Sequence, residues 1–164
     1  MTSQNDTGCA TIDAIEQDQK ILNYDDFSRR EVRSLIFHLI YAMEGFDYQT
    51  SLESIVDNFN RGFDLNIPHD SEVFKVSQAI IDQRNELDEL IKPWLHNWRF
   101  ERIGVVTKLI LRLAMWELHY TNTPPTVVIN EAIELAKCFA EQDAYKFING
   151  LLDEQAKRMA EEKK

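Results

Sequence analysis

The sequence predicts an all-α fold, built as a single helical domain. The stretch VVTKLILRLAMWELHY, Val105 to Tyr120, is apolar on more than one face of any helix drawn through it. A helix apolar nearly all round is buried by neighbours on several sides. Leu and Ala favour helix, and the stretch is too long for a typical buried strand. It is too short for a membrane span, and Lys108, Arg112 and Glu117 interrupt it. Elsewhere, apolar residues recur at helical spacing between start and stop signals, and no strand signal runs beyond a few residues.

Taken in order, residues 1–26 are polar and acidic, so a flexible arm is expected, with at most a weak helix near 12–23. Ser28 opens the first clear helix, because Ser28 with Glu31 forms a capping box. Val32, Leu35, Ile36, Leu39, Ile40 and Met43 follow, and Gly45 stops it. A second box, Thr50 with Glu53, starts a helix carrying Leu52, Ile55, Val56 and Phe59, which Gly62 ends. Ser71 caps a long third helix, Val73 to Ile91, which Pro93 kinks or ends. Trp94, Leu95, Trp98 and Phe100 form an aromatic corner before the hub helix at 105–120. Asn122 to Pro125 is the clearest break. A helix near 125–140 follows, and then another that Asp143 is expected to cap. Gly150 inside this last helix weakens it and points to a close backbone contact. The helical body runs from 27 to 158, with a short charged tail at 159–164.

The chain has 164 residues, 44% hydrophobic and 28% charged, with a net charge of −10. Such a charge argues against indiscriminate polyanion binding. Half of the excess lies in residues 1–26, which hold six acids and one base. Cys9 and Cys138 are far apart and lack metal spacing, so neither a disulfide framework nor a zinc site is expected. No apolar secretory segment opens the chain, so a cytoplasmic location is expected.

Enzyme chemistry finds no motif here: no glycine-rich phosphate loop, no HExxH, no nucleophile elbow. No catalytic residue, metal or cofactor is predicted. Glu131 and Glu134 resemble paired carboxylates, but Glu134 with Lys137 reads as an ordinary surface ion pair. Arg29, Arg30 and Arg33 need explaining, because cations are unfavourable at a helix N-terminus. Two readings are equally open: phosphate contact, or a solvated charged end paired with Asp25, Asp26 or Glu31. Asp143, Lys146 and Phe147 place a carboxylate, an ammonium and a ring near one helix start, as unstacked bases require. By spacing alone, a helix cap and a core aromatic are the better reading of these residues.

LILRLAMWEL (109–118), Pro124, VINEAIELAKCF (128–139) and AYKFINGLLD (144–153) resemble the signature of the NusB family of bacterial transcription antitermination factors. Ser28 to Arg33, followed by Leu39, Ile40 and Tyr41, is similar to that family's arginine-rich first helix. The resemblance implies two packed three-helix subdomains with a seventh helix, in a non-enzymatic adaptor. It implies binding of boxA RNA in leader transcripts together with NusE, a small-subunit ribosomal protein. The assembly would join an RNA polymerase complex reading through terminators in ribosomal RNA operons. By position, Arg29, Arg30 and Arg33 fall in the RNA-contact region, Asp143 and Phe147 where bases are met, and Lys146 beside them. Trp94, Thr107 and Lys108 fall near the partner-protein surface, and Thr107 stands where the family commonly has an acid. The alternative is a stand-alone RNA-recognition or protein-interaction domain, such as a homodimer, without antitermination.

Overall fold

The computed structural model describes residues 22–164. Among them are seven α-helices: α1 Arg29–Gly45, α2 Leu52–Gly62, α3 Glu72–Asp82, α4 Arg84–Ile91, α5 Val105–Tyr120, α6 Pro125–Phe139 and α7 Ala144–Glu162. Two short strands, β1 Leu22–Asn23 and β2 Leu65–Asn66, pair in parallel. Most of the predicted arm and its expected helix lie outside the described residues. Its last residues are among those described. Beyond β1, Tyr24–Asp26 forms a 3-10 turn, and the Tyr24 hydroxyl accepts a hydrogen bond from the Val73 amide at 3.4 Å.

Local signals explain most helix starts. The Ser28–Glu31 box forms as read, with the Glu31 amide donating to Ser28 Oγ at 3.2 Å and the Ser28 amide to Glu31 Oε2 at 2.6 Å. Ser71 caps α3 through the Phe74 amide. Pro125 occupies the first turn of α6, where a missing N–H costs nothing. The second box does not form. Ser51 rather than Thr50 caps α2, accepting from the Ser54 amide, so the helix starts one residue later.

The long third helix is two helices. The chain turns at Gln83, where φ is −97° and ψ is 11°, and Arg84 Nη1 donates to the Ile81 carbonyl at 2.7 Å. The break has a packing cause: α3 lies against α1, whereas α4 lies against α5. It separates α1–α3 from α4–α7. Between them α5 is the hub, packing on α1, α3, α4, α6 and α7. Leu109, Ile110, Leu111, Leu113 and Met115 are almost fully buried on its several faces. Among the described residues, every buried hydrophobic side chain except Ile103 belongs to one continuous core.

Two further readings need correction. Gly150 meets nothing within 4 Å of where a Cβ would stand, so it faces open space rather than a close neighbour. The charged residues after 158 carry α7 on as far as Glu162. Cys138 is disulfide-bonded, against the expectation that no disulfide framework is present; Cys9 lies outside the described residues.

Candidate functional site

The three arginines share one helix start but have three different fates. Arg29 is the most exposed: its side chain is 86% exposed, in a loose ion pair with Glu72 at 4.0 Å. Arg30 makes a fork, Nε and Nη2 donating to the two carboxylate oxygens of Glu131 on α6 at 3.2 and 3.1 Å. The Glu131 bond is the first cause holding the Arg30 pKa above its ordinary value. Arg33 is largely covered, its side chain 11% exposed and its Nε donating to Glu117 on α5 at 2.9 Å. Burial pushes the Glu117 carboxyl up, while Arg33 opposes that shift. None of the three pairs with Asp25, Asp26 or Glu31, the partners that local spacing suggested.

Geometry accounts for this sorting. Arg29 and Arg33 are four residues apart and line one cleft of about 390 Å³ with Tyr24, Phe27, Trp116 and Glu117. Arg33 points down into the contact between α1 and α5, and Arg30 points sideways to α6. The α1–α6 contact continues at Phe37, whose ring stacks on Phe139 at 5.2 Å. The expected Glu134–Lys137 surface pair is not formed; Lys137 lies over the Tyr145 ring, 5.2 Å from its centroid.

The second predicted cluster sits at the start of α7. Asp143 adopts a left-handed backbone, φ 69°, and its side chain makes no cap bond. This overturns the reading of Asp143 as a helix cap. Its carboxylate instead meets Lys146 Nζ at 3.3 Å on the surface. Phe147 is half-buried and presents its ring to Trp98, edge to face at 6.0 Å. Trp98 is 61% exposed and was not singled out as a site residue in the sequence. Position alone, in an aromatic corner, could have flagged it.

The Trp98–Phe147 pair stands between two clefts. One, of about 290 Å³, also includes Gly104, Thr107 and Asp143. The other, of about 270 Å³, also includes Trp94, Lys146 and Gly150. So residues assigned by resemblance to a partner protein and to RNA are neighbours here. Thr107 is buried at the cleft floor, Trp94 is covered by Arg158 at 5.5 Å, and Lys108 lies over the Phe100 ring at 4.7 Å. The arginine cleft shares no lining residue with these two. Two surface stations therefore exist, not one.

Among the described residues, no helix is long and apolar enough to cross a membrane, and no group of three or more His, Cys, Asp or Glu could hold a metal ion. The surface offers charged forks, rings and acceptors, which suit recognition of another molecule.

Comparison with known proteins agrees with this architecture. The profile of the NusB family matches residues 30–157. A transcription antitermination protein NusB of Macrococcus caseolyticus is 37% identical over 139 residues, covering 81% of this chain and 99% of the relative. One from Campylobacter curvus is 38% identical over 126 residues, covering 77% and 94%. The T. maritima NusB structure superposes with a TM-score of 0.66 at 30% identity, covering 80% of this chain and 92% of that one. The solution structure of NusB from Aquifex aeolicus, at 21% identity and a TM-score of 0.61, covers 80% and 90% and matches in fold. With a family profile spanning most of its length and relatives aligned nearly end to end, the chain belongs to the NusB family.

Proposed function

We propose that this chain is a transcription antitermination factor that binds boxA-type leader RNA together with NusE and promotes read-through in ribosomal RNA operons. Membership of the family supports the antitermination role. The observation that carries the RNA reading is the pair of accessible arginines, Arg29 and Arg30, at a helix start on an otherwise acidic body. Arginine forks bind phosphates without reading sequence. The Trp98–Phe147 pair with the exposed Asp143 carboxylate, which meets Lys146 at the surface, supplies rings and an acceptor, the means by which unstacked bases are read. Arg33 has a different task, since its charge is spent on Glu117 inside the protein.

NusE belongs in this reading for an electrostatic reason. A net charge of −10 makes autonomous RNA binding weak, and a basic partner docked near Trp94 and Lys108 would offset it. The assembled pair would then enter an RNA polymerase antitermination complex.

The test is a titration of boxA-type and control single-stranded RNA with NusE present, at two salt concentrations. Arg29→Ala should weaken both RNAs alike and flatten the salt dependence, by about 0.7 in log–log slope per lost phosphate contact. Phe147→Ala should weaken boxA RNA more than control, by about 1–3 kcal/mol if a base stacks there. Equal loss on both RNAs, or a melting temperature collapse that accounts for the loss, would return Phe147 to a purely structural role.

A further inference from the structure

We propose that Glu131 is the positioning residue for Arg30 in RNA binding: it holds the inner edge of the guanidinium so that the outer edge faces a backbone phosphate. The proposal rests on the RNA reading above.

A guanidinium carries two edges of paired donors, one from Nε and Nη2, the other from Nη1 and Nη2. Glu131 takes the first edge with both its oxygens. Nη1 has no hydrogen-bond partner among the described residues, which leaves the second edge open. Exposure gives the direction: the Arg30 side chain is 53% exposed and Glu131 only 17%, so the carboxylate lies beneath and the guanidinium above. Glu131 is itself fixed, because α6 buries Ala132 and Leu135 beside it in the core.

The neighbouring arginines supply the contrast. Arg29 is accessible but meets only Glu72, at 4.0 Å and with no hydrogen bond, and Arg33 is held but only 11% exposed. Of the three, Arg30 alone is both oriented and accessible. A held arginine has already surrendered the side-chain freedom that docking on a phosphate would cost. The arrangement also makes an unusual prediction. Charge counting says that neutralising an acid near an RNA path strengthens binding. Positioning says that neutralising this one weakens it. Glu134 is a matched control, since its charge also acts on Arg30 but no hydrogen bond joins them.

The experiment titrates single-stranded boxA-type RNA, with NusE present, against the full chain and five variants. These are Glu131→Gln, Glu134→Gln, Arg30→Ala, Arg30→Lys and the Arg30→Ala/Glu131→Gln pair. Glu131→Gln should weaken binding about 2- to 5-fold, the range of a surface ion pair, while Glu134→Gln should not weaken it. Glu131→Gln should add nothing once Arg30 is alanine. Arg30→Lys keeps the charge but loses the fork, and should weaken binding as Arg30→Ala does. Glu131→Gln binding as tightly as the parent, or a Glu131→Gln loss that persists beside Arg30→Ala, overturns the proposal. If Glu131→Gln melts too low to assay, Arg30→Lys decides, and parental binding by it overturns the proposal. RNA binding that needs Arg30 but not Glu131 sinks this inference alone. RNA binding indifferent to Arg29, Arg30 and Phe147 sinks the RNA reading and this inference with it.

Discussion

Arg112, in the middle of the hub helix, donates from Nε and Nη2 to the two carboxylate oxygens of Asp88 on α4, at 2.7 and 2.9 Å, with both side chains almost fully buried. The network extends to the end of α1. Arg112 Nη1 reaches the Tyr48 hydroxyl at 3.1 Å and Glu44 at 3.4 Å, and Tyr48 in turn donates to Glu44. Burial alone would lower the Arg112 pKa, but the Asp88 bonds and the surrounding acids raise it. One arginine thus ties α1, α4 and α5 together.

Breaking that fork from one side should be costly, because it strands a buried charge. Asp88→Ala is expected to destabilise the protein by about 3–5 kcal/mol. Adding Arg112→Met should restore part of the loss, since an apolar pair needs no partner. Urea denaturation midpoints of the two variants check this. A double variant less stable than Asp88→Ala would contradict it.

Tyr48 supplies a pH signature for the same network. Burial, followed by the bond to Glu44, pushes its hydroxyl up to about 12. An unfolded tyrosine ionises near 10. The folded value is the higher one, so its contribution is fully present below about pH 10 and is lost as pH rises towards about 12. Denaturation curves between these limits should therefore fall more steeply for the parent than for Tyr48→Phe. Parallel curves would mean that Tyr48 titrates as it does unfolded.

Arg29 and Arg33 should separate cleanly in stability. Arg29→Ala touches an exposed side chain and should change stability by less than about 0.5 kcal/mol. Arg33→Ala leaves Glu117 buried without its partner and should cost about 3–5 kcal/mol. The sign with pH follows from Glu117, whose folded pKa lies above its unfolded value. Its protonated form is favoured in the fold, so the Arg33→Ala deficit should shrink as pH falls through the folded pKa. Melting temperatures of both variants at neutral and mildly acidic pH are the measurement. A deficit that grows with acid would show that Glu117 is not the stranded group.

Two truncations test what β1 and the Tyr24 turn contribute. Removing residues 1–26 also removes β1 and Tyr24, whose hydroxyl accepts from the Val73 amide in the first turn of α3. That bond alone is worth about 0.5–1.5 kcal/mol. The chain lacking 1–26 should thus melt lower than the chain lacking 1–21. Equal melting temperatures would mean that the strand and turn contribute nothing.

What the sequence determined by itself is local or periodic. The Ser28–Glu31 box, the Ser71 cap and the all-round apolar face of Val105 to Tyr120 are legible because each is set by residues within a few positions of one another. The family signature was legible for a related reason, as motifs of fixed spacing along the chain. The tertiary structure decided the fate of the charges. Arg30 and Glu131 are 101 residues apart, Arg33 and Glu117 are 84 apart, and Arg112 and Asp88 are 24 apart. Nothing near an arginine in sequence says which carboxylate it will meet, so the pairing of Arg33 with Glu117 was illegible, and Arg112 read as a mere interruption. Asp143 shows the same limit in the backbone. Asp143 enters α7 through a left-handed turn, its carboxylate meets Lys146 rather than a helix amide, and a cap preference read from residue type holds only where the incoming chain arrives extended.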